Sequence, residues 1–345
     1  MTNNILLVLE SNNSYMMKAL IESLSKYYDL QVLELKYNIS FLERALFKIT
    51  RWKYFIFTKS LENKILKQLL LKEYKFLFLT KQLHLKSDFY LKLKRLYPNI
   101  KIIGLTYDFL GNYKTSSINL VNSLKHYDTY FAPQKHYNDF IKSKACLNSY
   151  EINFSVSDSL YNLSEKLYSK NLELKYDVLV VANFEKERAM YVEHLLSKSI
   201  KVKIVGNNWH KAIMYPNIFK NYKNIQAMSI KKVISATIQS KITLGFLRKA
   251  ELDKVTARTF EIPAFYGYML HENNNVARDI YKDVDFVDFF DTKEDLSEKI
   301  ITILNGYDYI KYKLKKEKAH KWIKDNDLLT STDVNRMIKV LNHES

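Results

Sequence analysis

The chain has 345 residues, of which 47% are hydrophobic, and a formal net charge of +17. This length and apolar content exclude a disordered chain and favour two domains over one. The single cysteine, Cys146, excludes an intramolecular disulfide framework and is typical of a protein from a reducing compartment.

The first predicted element is a strand, because NNILLVLE is a short continuous apolar run of the kind found in strands covered on both faces. A polar turn and a helical pattern, YMMKALIESLSKYY, follow it. The opening residues lack the basic flank and cleavage site of a signal peptide, and lysines interrupt every apolar run before it reaches about 18 residues. We therefore expect a cytoplasmic chain without a membrane-spanning helix.

Residues 41–101 carry most of the excess charge, with 15 basic and 4 acidic residues. The cations alternate with aromatic residues, a pattern typical of surfaces that bind polyanions, either an anionic membrane leaflet or nucleic acid. An AT-rich genome, which encodes Lys, Asn, Tyr and Ile freely, would produce the same composition without a binding function. The charge clustering is compatible with both interpretations.

The rest of the first half alternates strands and helices. Strands are predicted at LQVLEL, YKFLFLT, IKIIGLTYD and YDTYFAP, with lysine-rich helical segments between them. Such alternation predicts a parallel sheet with right-handed crossovers. Residues 155–175 are polar and rich in serine, and we interpret them as a linker.

The alternation starts again at residue 176, with strands predicted at YDVLVVANF, KVKIVGNNW, KITLGFL, YMLHE and VDFVDFF. Two successive halves of this kind predict an α/β fold of two Rossmann-like, doubly wound domains that face each other across a cleft. We place the N-terminal domain at residues 1–160, the C-terminal domain at residues 175–330, and a tail that packs back on the N-terminal domain at residues 331–345. Ligands are expected outside the carboxyl ends of the strands.

Known nucleotide and metal signatures are missing. The sequence holds neither G-x-G-x-x-G nor G-x-x-x-x-G-K-[ST], so it has no dinucleotide fingerprint and no P-loop. Its eight histidines form no H-E-x-x-H motif, which argues against a zinc site. D-x-D triplets at 283–285 and 325–327 have a pattern that can hold Mg²⁺ against a diphosphate, but three-residue matches often arise by chance. We predict no metal site.

The segment DKVTARTFEIPAFYGYML, residues 253–270, predicts an anion site. A helix should begin near Thr256, a competent N-cap, and its first turn would present free N–H groups and the positive end of the helix dipole. Arg258 lies in that turn, so backbone donors, dipole and guanidinium group converge where a diphosphate would bind. Glu261 lies on the same helical face and can accept hydrogen bonds from two vicinal hydroxyls, as a ribose offers.

The end of this helix is also specified by the sequence. Pro263 should leave the Thr259 carbonyl without its helical partner, and Gly267 should close the helix. The alternative interpretation is an Arg258–Glu261 ion pair without any ligand, since such pairs are common and weak. The position of the segment after a central strand, where open α/β sheets bind ligands, favours the anion site.

This part of the sequence resembles a known family. SKITLGFLRKAELDKVTARTFEIPAFYGYMLHE and the later DVDFVDFFDTKEDLSEKI are similar to the CgeB-like bacterial glycosyltransferases, of the glycosyl transferases group 1 type, which have the GT-B fold. The resemblance covers about residues 176–330. Ala182 stands where the family has a glycine, and Tyr266 replaces one glycine of a pair. The matching residues are Asn183, Arg188, Gly206, Trp209, Asp253, Thr256, Arg258, Thr259, Phe260, Glu261, Ala264, Gly267, Glu294 and Leu296.

The resemblance implies transfer of a sugar from a UDP-, GDP- or CMP-linked donor to a hydroxyl of a cell-surface glycan, a lipid-linked acceptor or a protein, without a metal or another cofactor. The C-terminal domain would bind the donor and the N-terminal domain the acceptor. The charge of the leaving diphosphate would be neutralised by the helix dipole and Arg258. The implied donor-binding residues are Asn183, Arg188, Gly206, Asn207, Trp209, Lys241, Thr256, Arg258, Thr259 and Glu261.

Within that set the implied roles differ. Arg188 would assist Arg258 at the diphosphate, and Glu261 would hold the ribose. Trp209 or Asn207 would line the base or sugar pocket. Lys241 would either reach a phosphate or remain a solvated lysine at the start of a strand.

An inverting transferase needs a general base that faces the cleft from the N-terminal domain. Asp108, at the end of the strand IKIIGLTYD, is the best placed carboxylate, followed by Glu10 and then His84. A carboxylate at a strand end is at least as often a helix cap or an ion-pair partner. The sequence leaves open whether the reaction inverts or retains the anomeric centre.

A lipid-linked acceptor would bring residues 41–101 to the inner membrane, with Trp52, Tyr54, Phe55 and Phe57 at the interface. The competing interpretations are a GT-B epimerase or phosphorylase, a basic nucleic-acid-binding protein, and a scaffold that has lost turnover. A nucleic-acid-binding protein would have no use for a diphosphate site, so nucleic acid is not the expected partner.

Overall fold

The computed structural model describes residues 4–10 and 15–343. The polar turn predicted after the first strand, at residues 11–14, lies outside the described residues, as do the last two residues of the predicted tail.

The chain forms two compact units. The N-terminal unit takes the described residues up to 154, together with 250–252 and 330–343, and the C-terminal unit takes residues 155–249 and 253–329. The chain therefore passes from one unit to the other at residue 155, rather than within a linker at 155–175.

The first half of the chain builds strands and helices in alternation. They are β1 Asn4–Glu10, α1 Tyr15–Leu24, β2 Asp29–Leu35, α2 Phe41–Thr50, α3 Lys59–Leu69, β3 Phe76–Thr80, α4 Ser87–Leu96, β4 Lys101–Leu105, α5 Ile118–Ser123, β5 Thr129–Ala132, α6 Lys135–Ser143 and β6 Ser149–Glu151. The strands form one parallel sheet in the order β2-β1-β3-β4-β5-β6. The predicted strand and helix alternation of this half is confirmed.

The second half repeats this plan. Its elements are α7 Asp158–Tyr168, β7 Tyr176–Val181, α8 Lys186–Ser197, β8 Val202–Val205, α9 Pro216–Asn221, α10 Ile230–Ile238, β9 Ser240–Gly245, α11 Ala257–Ala264, β10 Met269–Glu272, α12 Asn275–Ile280, β11 Val287–Phe290, α13 Lys293–Asn305, α14 Tyr309–Asp325 and α15 Thr330–His343. The sheet is parallel, with the order β11-β10-β9-β7-β8. In each sheet the first strand lies between the second and the third, as in doubly wound folds.

Both faces of the N-terminal sheet are covered, which explains the continuous apolar runs of its central strands. In β1, Leu6 and Val8 pack into the cluster that includes side chains of α3 and α4, whereas Ile5 and Leu7 pack into the cluster of α1. The second cluster also receives α15, so the C-terminal helix of the chain completes the core of the N-terminal unit.

The segment interpreted as a linker is instead largely helical. Leu160, Tyr161, Ser164 and Leu167 recur at helical spacing and are buried in α7. The serine-rich composition of this segment therefore marks an ordinary amphipathic helix of the C-terminal unit. No helix within the described residues combines the length and the apolar character needed to cross a bilayer.

Candidate functional site

The strand order of the C-terminal sheet creates a crevice where ligands of doubly wound folds bind. β7 lies between β8 and β9, so the connections that leave β7 and β9 run in opposite directions along the sheet. The crevice opens beyond Val181 and Gly245, the carboxyl ends of these two strands. The segments that follow them therefore form the candidate donor site.

Arg188 joins these two segments. It lies in the first turn of α8 and is buried, with Nη1 donating to the Asn183 carbonyl at 2.5 Å and Nη2 to the Leu247 carbonyl at 3.4 Å. Burial lowers the pKa of its guanidinium, and Glu185 opposes this with an ion pair at 3.7 Å. Two of the three guanidinium nitrogens are thus occupied with backbone carbonyls across the crevice, while Nε is buried without a hydrogen-bond partner among the described residues.

The connection after β8 is held close to the connection after β7. The Asn207 N–H donates to Asn183 Oδ1 at 2.9 Å. Gly206 has φ 153°, and a Cβ there would lie 2.0 Å from the Ala182 carbonyl oxygen. Trp209 is fully buried, with Nε1 donating to the same carbonyl at 2.9 Å. The Trp209 indole thus belongs to the core, and of the two residues expected to line a base or sugar pocket, Asn207 is the exposed one.

A polar pocket opens beside Gly206, at the start of α10. The Gly206 N–H donates to the Gln226 carbonyl at 3.2 Å. The pocket has a volume of about 240 Å³, and its lining includes Gln226, Ser229 and Lys232. These residues were not singled out in the sequence, because no motif marks them.

The helix predicted after β9 is α11, which begins at Ala257. Thr256 occupies the N-cap position with extended backbone, and its N–H donates to Thr259 Oγ1 at 3.0 Å. The Thr256 hydroxyl is buried and faces the Thr259 N–H in a capping box, while its own O–H donates to no group within the described residues. The helix start thus places a buried hydroxyl donor beside the N–H groups of its first turn.

Arg258 and Glu261 lie on the same face of α11, as their spacing predicts. Nη1 of Arg258 donates to Oε2 of Glu261 in an ion pair. The Arg258 side chain is 29% exposed, while the Glu261 side chain is buried. The intrahelical pair of the alternative interpretation is present, and the Arg258 side chain remains partly accessible to solvent.

The end of α11 agrees with the prediction for Pro263 and differs from the prediction for Gly267. Pro263 has no N–H to donate to the Thr259 carbonyl, and the Tyr281 hydroxyl donates to it instead at 2.6 Å. Tyr266, with φ 56°, adopts the left-handed conformation after the helix. Gly267 does not, so the expected helix-closing role belongs to Tyr266.

Further charged groups lie at the carboxyl ends of β9 and β10. Nε of Arg248 contacts the buried Asp253 carboxylate at 2.7 Å. Lys249 forms an ion pair with Glu272, whose Oε2 also accepts from the Leu247 N–H at 3.0 Å. Sequence reasoning missed Arg248, Lys249 and Glu272 as site residues, although charged residues directly after buried strands were the available signal.

Lys241 lies at the wrong edge of the sheet for a phosphate contact. It is the second residue of β9, and its Nζ pairs with Asp177 in β7 at 2.7 Å. Gly245, at the carboxyl end of the strand, is roughly 13 Å away along the extended chain. The expectation that Lys241 contacts the donor is therefore corrected, and the alternative of a lysine at a strand start holds.

The candidate base residues form a charged cluster in the N-terminal unit. Glu10 ends β1, and Asp108 follows β4 and pairs with Lys81 Nζ at 2.5 Å. Burial raises the pKa of Glu10 to about 7, against the opposing effects of Lys81 and Lys53. Glu10 therefore titrates near neutrality, as a general base requires.

The loop after Asp108 is fixed by a buried carboxylate. Glu251 accepts from the Phe109 N–H at 2.9 Å, from Asn112 Nδ2 at 2.6 Å and from the Thr115 hydroxyl at 3.3 Å. These residues all belong to the N-terminal unit. The three bonds restrain the loop that begins at Asp108.

His84 and Phe55 are core residues. Their ring centroids lie 4.2 Å apart, and both side chains are buried. Burial lowers the pKa of His84 to about 4. His84 is thus a packed neutral ring, and the expectation that Phe55 lies at a membrane interface is wrong.

The acids of the D-x-D triplets are solvent-exposed or paired with lysines. Asp285 lies 3.3 Å from Lys318, and Asp325 pairs with Lys321. Within residues 4–10 and 15–343, no group of three or more His, Cys, Asp or Glu side chains is arranged to hold a metal ion.

Comparisons with known proteins agree with this architecture. Residues 188–320 match the family model described as glycosyl transferase-like, a range that contains α11. No curated protein matches the chain. The structure is similar to that of HepE from Anabaena in complex with UDP and glucose, with a TM-score of 0.65, 11% identity and 99% of each chain covered. It is also similar to α,α-trehalose 6-phosphate synthase from Burkholderia multivorans, with a TM-score of 0.62, 12% identity and 100% of each chain covered.

At these identities the similar structures show the fold alone. The predicted α/β architecture of two Rossmann-like domains is confirmed as the GT-B fold. Residues 188–320, which match the glycosyl transferase-like family model, contain the anion site predicted from the sequence.

Proposed function

We propose that the chain is a glycosyltransferase of the CgeB-like kind, which moves a sugar from a nucleotide-sugar donor to an acceptor hydroxyl without a metal. The observation that carries this proposal is the start of α11. There a helix N-terminus, a partly exposed arginine side chain and a buried hydroxyl whose O–H has no acceptor within the described residues converge after the carboxyl end of β9. Such a convergence suits the negative charge that develops on a leaving diphosphate.

Arg258 and Glu261 are the central donor residues in this proposal. Arg258 contacts the diphosphate together with the N–H groups of the first turn, and the Thr256 hydroxyl donates to a phosphate oxygen. Glu261 orients the guanidinium through their ion pair and accepts from the ribose hydroxyls. Thr259 supports the site indirectly, since its Oγ1 bonds the Thr256 N–H.

The proposed nucleotide side of the site is the connection after β8. Asn183, Gly206 and Asn207 bring the two strand ends together there, and the polar pocket with Gln226 and Lys232 adjoins them. HepE, which shares the fold, was solved with UDP and glucose, and this supports a UDP-linked sugar as the first donor to test.

On the acceptor side we propose Glu10 as the general base, with Asp108 as the second candidate. The neutral-range pKa of Glu10 supports this order, because Asp108 is held in an ion pair with Lys81. The acceptor is a hydroxyl of a cell-surface glycan, a lipid-linked intermediate or a protein. A lipid-linked acceptor places the chain at the cytoplasmic face of the inner membrane.

The donor site is tested by titrating the full chain with UDP, GDP and CMP in the presence of EDTA. Arg258→Ala removes charge-assisted hydrogen bonds of about 1.5–3 kcal/mol each, so we expect the Kd for the preferred nucleotide to rise at least about tenfold. Glu261→Ala should weaken binding in the same direction.

Arg336→Ala is the matched control. Arg336 also forms an i, i+3 pair, with Asp333 at 3.2 Å, but it lies in α15 of the N-terminal unit. Nucleotide binding by this variant should equal that of the unmodified chain. Unchanged affinity in both Arg258→Ala and Glu261→Ala would refute the donor site.

A further inference from the structure

An exposed apolar surface surrounds α2 in the N-terminal unit. Phe41 is 88% exposed, Ile49 is 79% exposed and Phe57 is 59% exposed. Other large apolar side chains between residues 36 and 60 are exposed as well, namely Ile39, Leu42 and Tyr54. We call these six residues the α2 surface. Apolar side chains in this number and so close in sequence mark a contact site rather than the scattered exposure that any protein has.

The charged side chains around the α2 surface have one sign. Every exposed charged residue between positions 36 and 60 is a cation, and the only acid in this range, Glu43, is buried. The exposed cations are Lys36, Arg44, Lys48, Arg51 and Lys59. The α2 surface therefore combines apolar groups with a positive potential.

Glu43 fixes the backbone segments that carry the α2 surface. Its carboxylate accepts from the Ser40 N–H at 2.9 Å and from the Ile56 N–H at 2.8 Å, and the Tyr37 hydroxyl also donates to it. These bonds connect the start of α2 with the segment that ends in Phe57. The exposed side chains at both places are thus presented together by ordered backbone.

We infer that the α2 surface docks on an anionic lipid bilayer, with the apolar side chains in the interface and the cations at the lipid headgroups. Helices with an apolar face and flanking cations lie in the plane of such interfaces. α2, at ten residues, is too short to span a bilayer and long enough to lie on one. This inference identifies the surface that would make the membrane contact named in the proposed function. It does not require that the chain transfers a sugar.

Other partners fit this surface less well. Half of the α2 surface, namely Ile39, Leu42 and Ile49, is aliphatic and cannot stack on bases, whereas surfaces that bind single-stranded nucleic acid stack the bases on aromatic rings. A second copy of the chain would bring equal positive charges together, which disfavours a symmetric contact. An anionic bilayer complements both the apolar and the cationic components.

The test is sedimentation of the full chain with vesicles of phosphatidylcholine alone and of phosphatidylcholine with 30% phosphatidylglycerol. We expect binding to the anionic vesicles that weakens, but persists, as salt is raised. Phe41→Ser/Ile49→Ser should lower the partition coefficient at least about tenfold, because each lost apolar side chain removes a large part of the insertion free energy. Arg44→Gln/Lys48→Gln should reduce the preference for the anionic vesicles.

The matched control is Leu96→Ser/Leu147→Ser. Both leucines are exposed residues of the N-terminal unit that do not belong to the α2 surface, and they lie at the end of α4 and just before β6. This control should bind vesicles normally. Thermal unfolding of each variant shows whether it is folded, and UDP affinity, which the α2 variants should leave unchanged, separates this inference from the donor site.

Two results would overturn the inference. One is equal vesicle binding by Phe41→Ser/Ile49→Ser and by the unmodified chain. The other is binding to a single-stranded oligonucleotide that is tighter than vesicle binding and is weakened by the same α2 substitutions, which would identify nucleic acid as the partner.

Discussion

Several buried charged side chains, including the predicted donor residue Arg188, connect separate segments of the chain. Arg188 bonds the carbonyls of Asn183 and Leu247. Glu251 bonds three groups of one loop, and Glu43 joins the start of α2 to residue 56. Buried ionised groups need such partners, because an unpaired charge in the interior is costly. The remaining candidates for ligand contact are the partly exposed Arg258 side chain, the buried Thr256 hydroxyl and Nε of Arg188, which has no partner within the described residues.

The structural role of Arg188 gives the first prediction. Lysine keeps the charge but cannot reproduce the planar fork that reaches two carbonyls, so Arg188→Lys should lower the free energy of unfolding by about 2 kcal/mol. Urea unfolding measures this change. Arg336→Lys, on an exposed helix face, should be neutral. Full stability in Arg188→Lys combined with weak nucleotide binding would instead show that Arg188 contacts the donor.

The second prediction concerns Glu10 in the proposed transfer reaction. Its carboxyl group is neutral below its pKa of about 7 and ionised above it, and a general base works only in the ionised form. The kcat/KM should therefore rise with pH through about 7. Glu10→Gln should lose about 100-fold or more of the activity together with this rise. Asp108→Asn should keep the rise, and a loss of it only in Asp108→Asn would make Asp108 the base.

The sequence predicts the site residues that depend on local spacing and misplaces those that depend on distant neighbours. Arg258 and Glu261 share a helical face because they are three residues apart. The sequence also predicts that Lys241 lies near the amino end of its strand, because this lysine precedes the apolar residues of β9. The burial of Trp209 does not follow from the sequence, because its partner is a carbonyl 27 residues away.

Secondary structure elements with strong apolar periodicity were predictable, and elements without it were not. All ten predicted strands are present, each as an apolar run in the sequence. β6 is a three-residue strand, SYE, which pairs with β5 at the edge of the sheet and has no such run. α7 was missed for another reason: its serines suggested a linker, although its apolar residues recur at helical spacing.

The third prediction concerns the connection after β8. In Gly206→Ala the new Cβ would lie 2.0 Å from the Ala182 carbonyl oxygen, at a φ of 153° that side chains rarely adopt. We expect the free energy of unfolding to fall by about 2 kcal/mol or more. Gly306→Ala is the control, because its Cβ would meet only the Thr302 carbonyl oxygen at an ordinary 3.5 Å. Equal stability of the two variants would contradict the backbone geometry assigned to Gly206.

At the scale of the whole molecule, the two units are not simply the first and the second half of the chain. Two segments from the second half belong to the N-terminal unit, residues 250–252 and α15. The sequence predicts a tail that packs on the N-terminal domain. It does not predict the role of Glu251, because its partners lie 136 to 142 residues away and no local pattern connects it to them. Long-range polar contacts of this kind are visible only in three dimensions.

The fourth prediction tests whether α15 is part of the N-terminal core. Met337 is buried with Val334 and Leu341 against Ile5 and Leu7 of β1. Met337→Ala removes a long side chain from this cluster and should lower the stability of the N-terminal unit by about 3 kcal/mol.

The two units provide an internal reference for this experiment. Calorimetry of the full chain should show the transition of the N-terminal unit shifting down, while nucleotide binding by the C-terminal unit persists at temperatures below both transitions. Lys339→Ala changes an exposed residue of the same helix and should shift neither transition. If Met337→Ala also leaves the N-terminal transition unchanged, α15 does not contribute to that core, because a buried methionine cannot be truncated in a packed cluster without loss of stability.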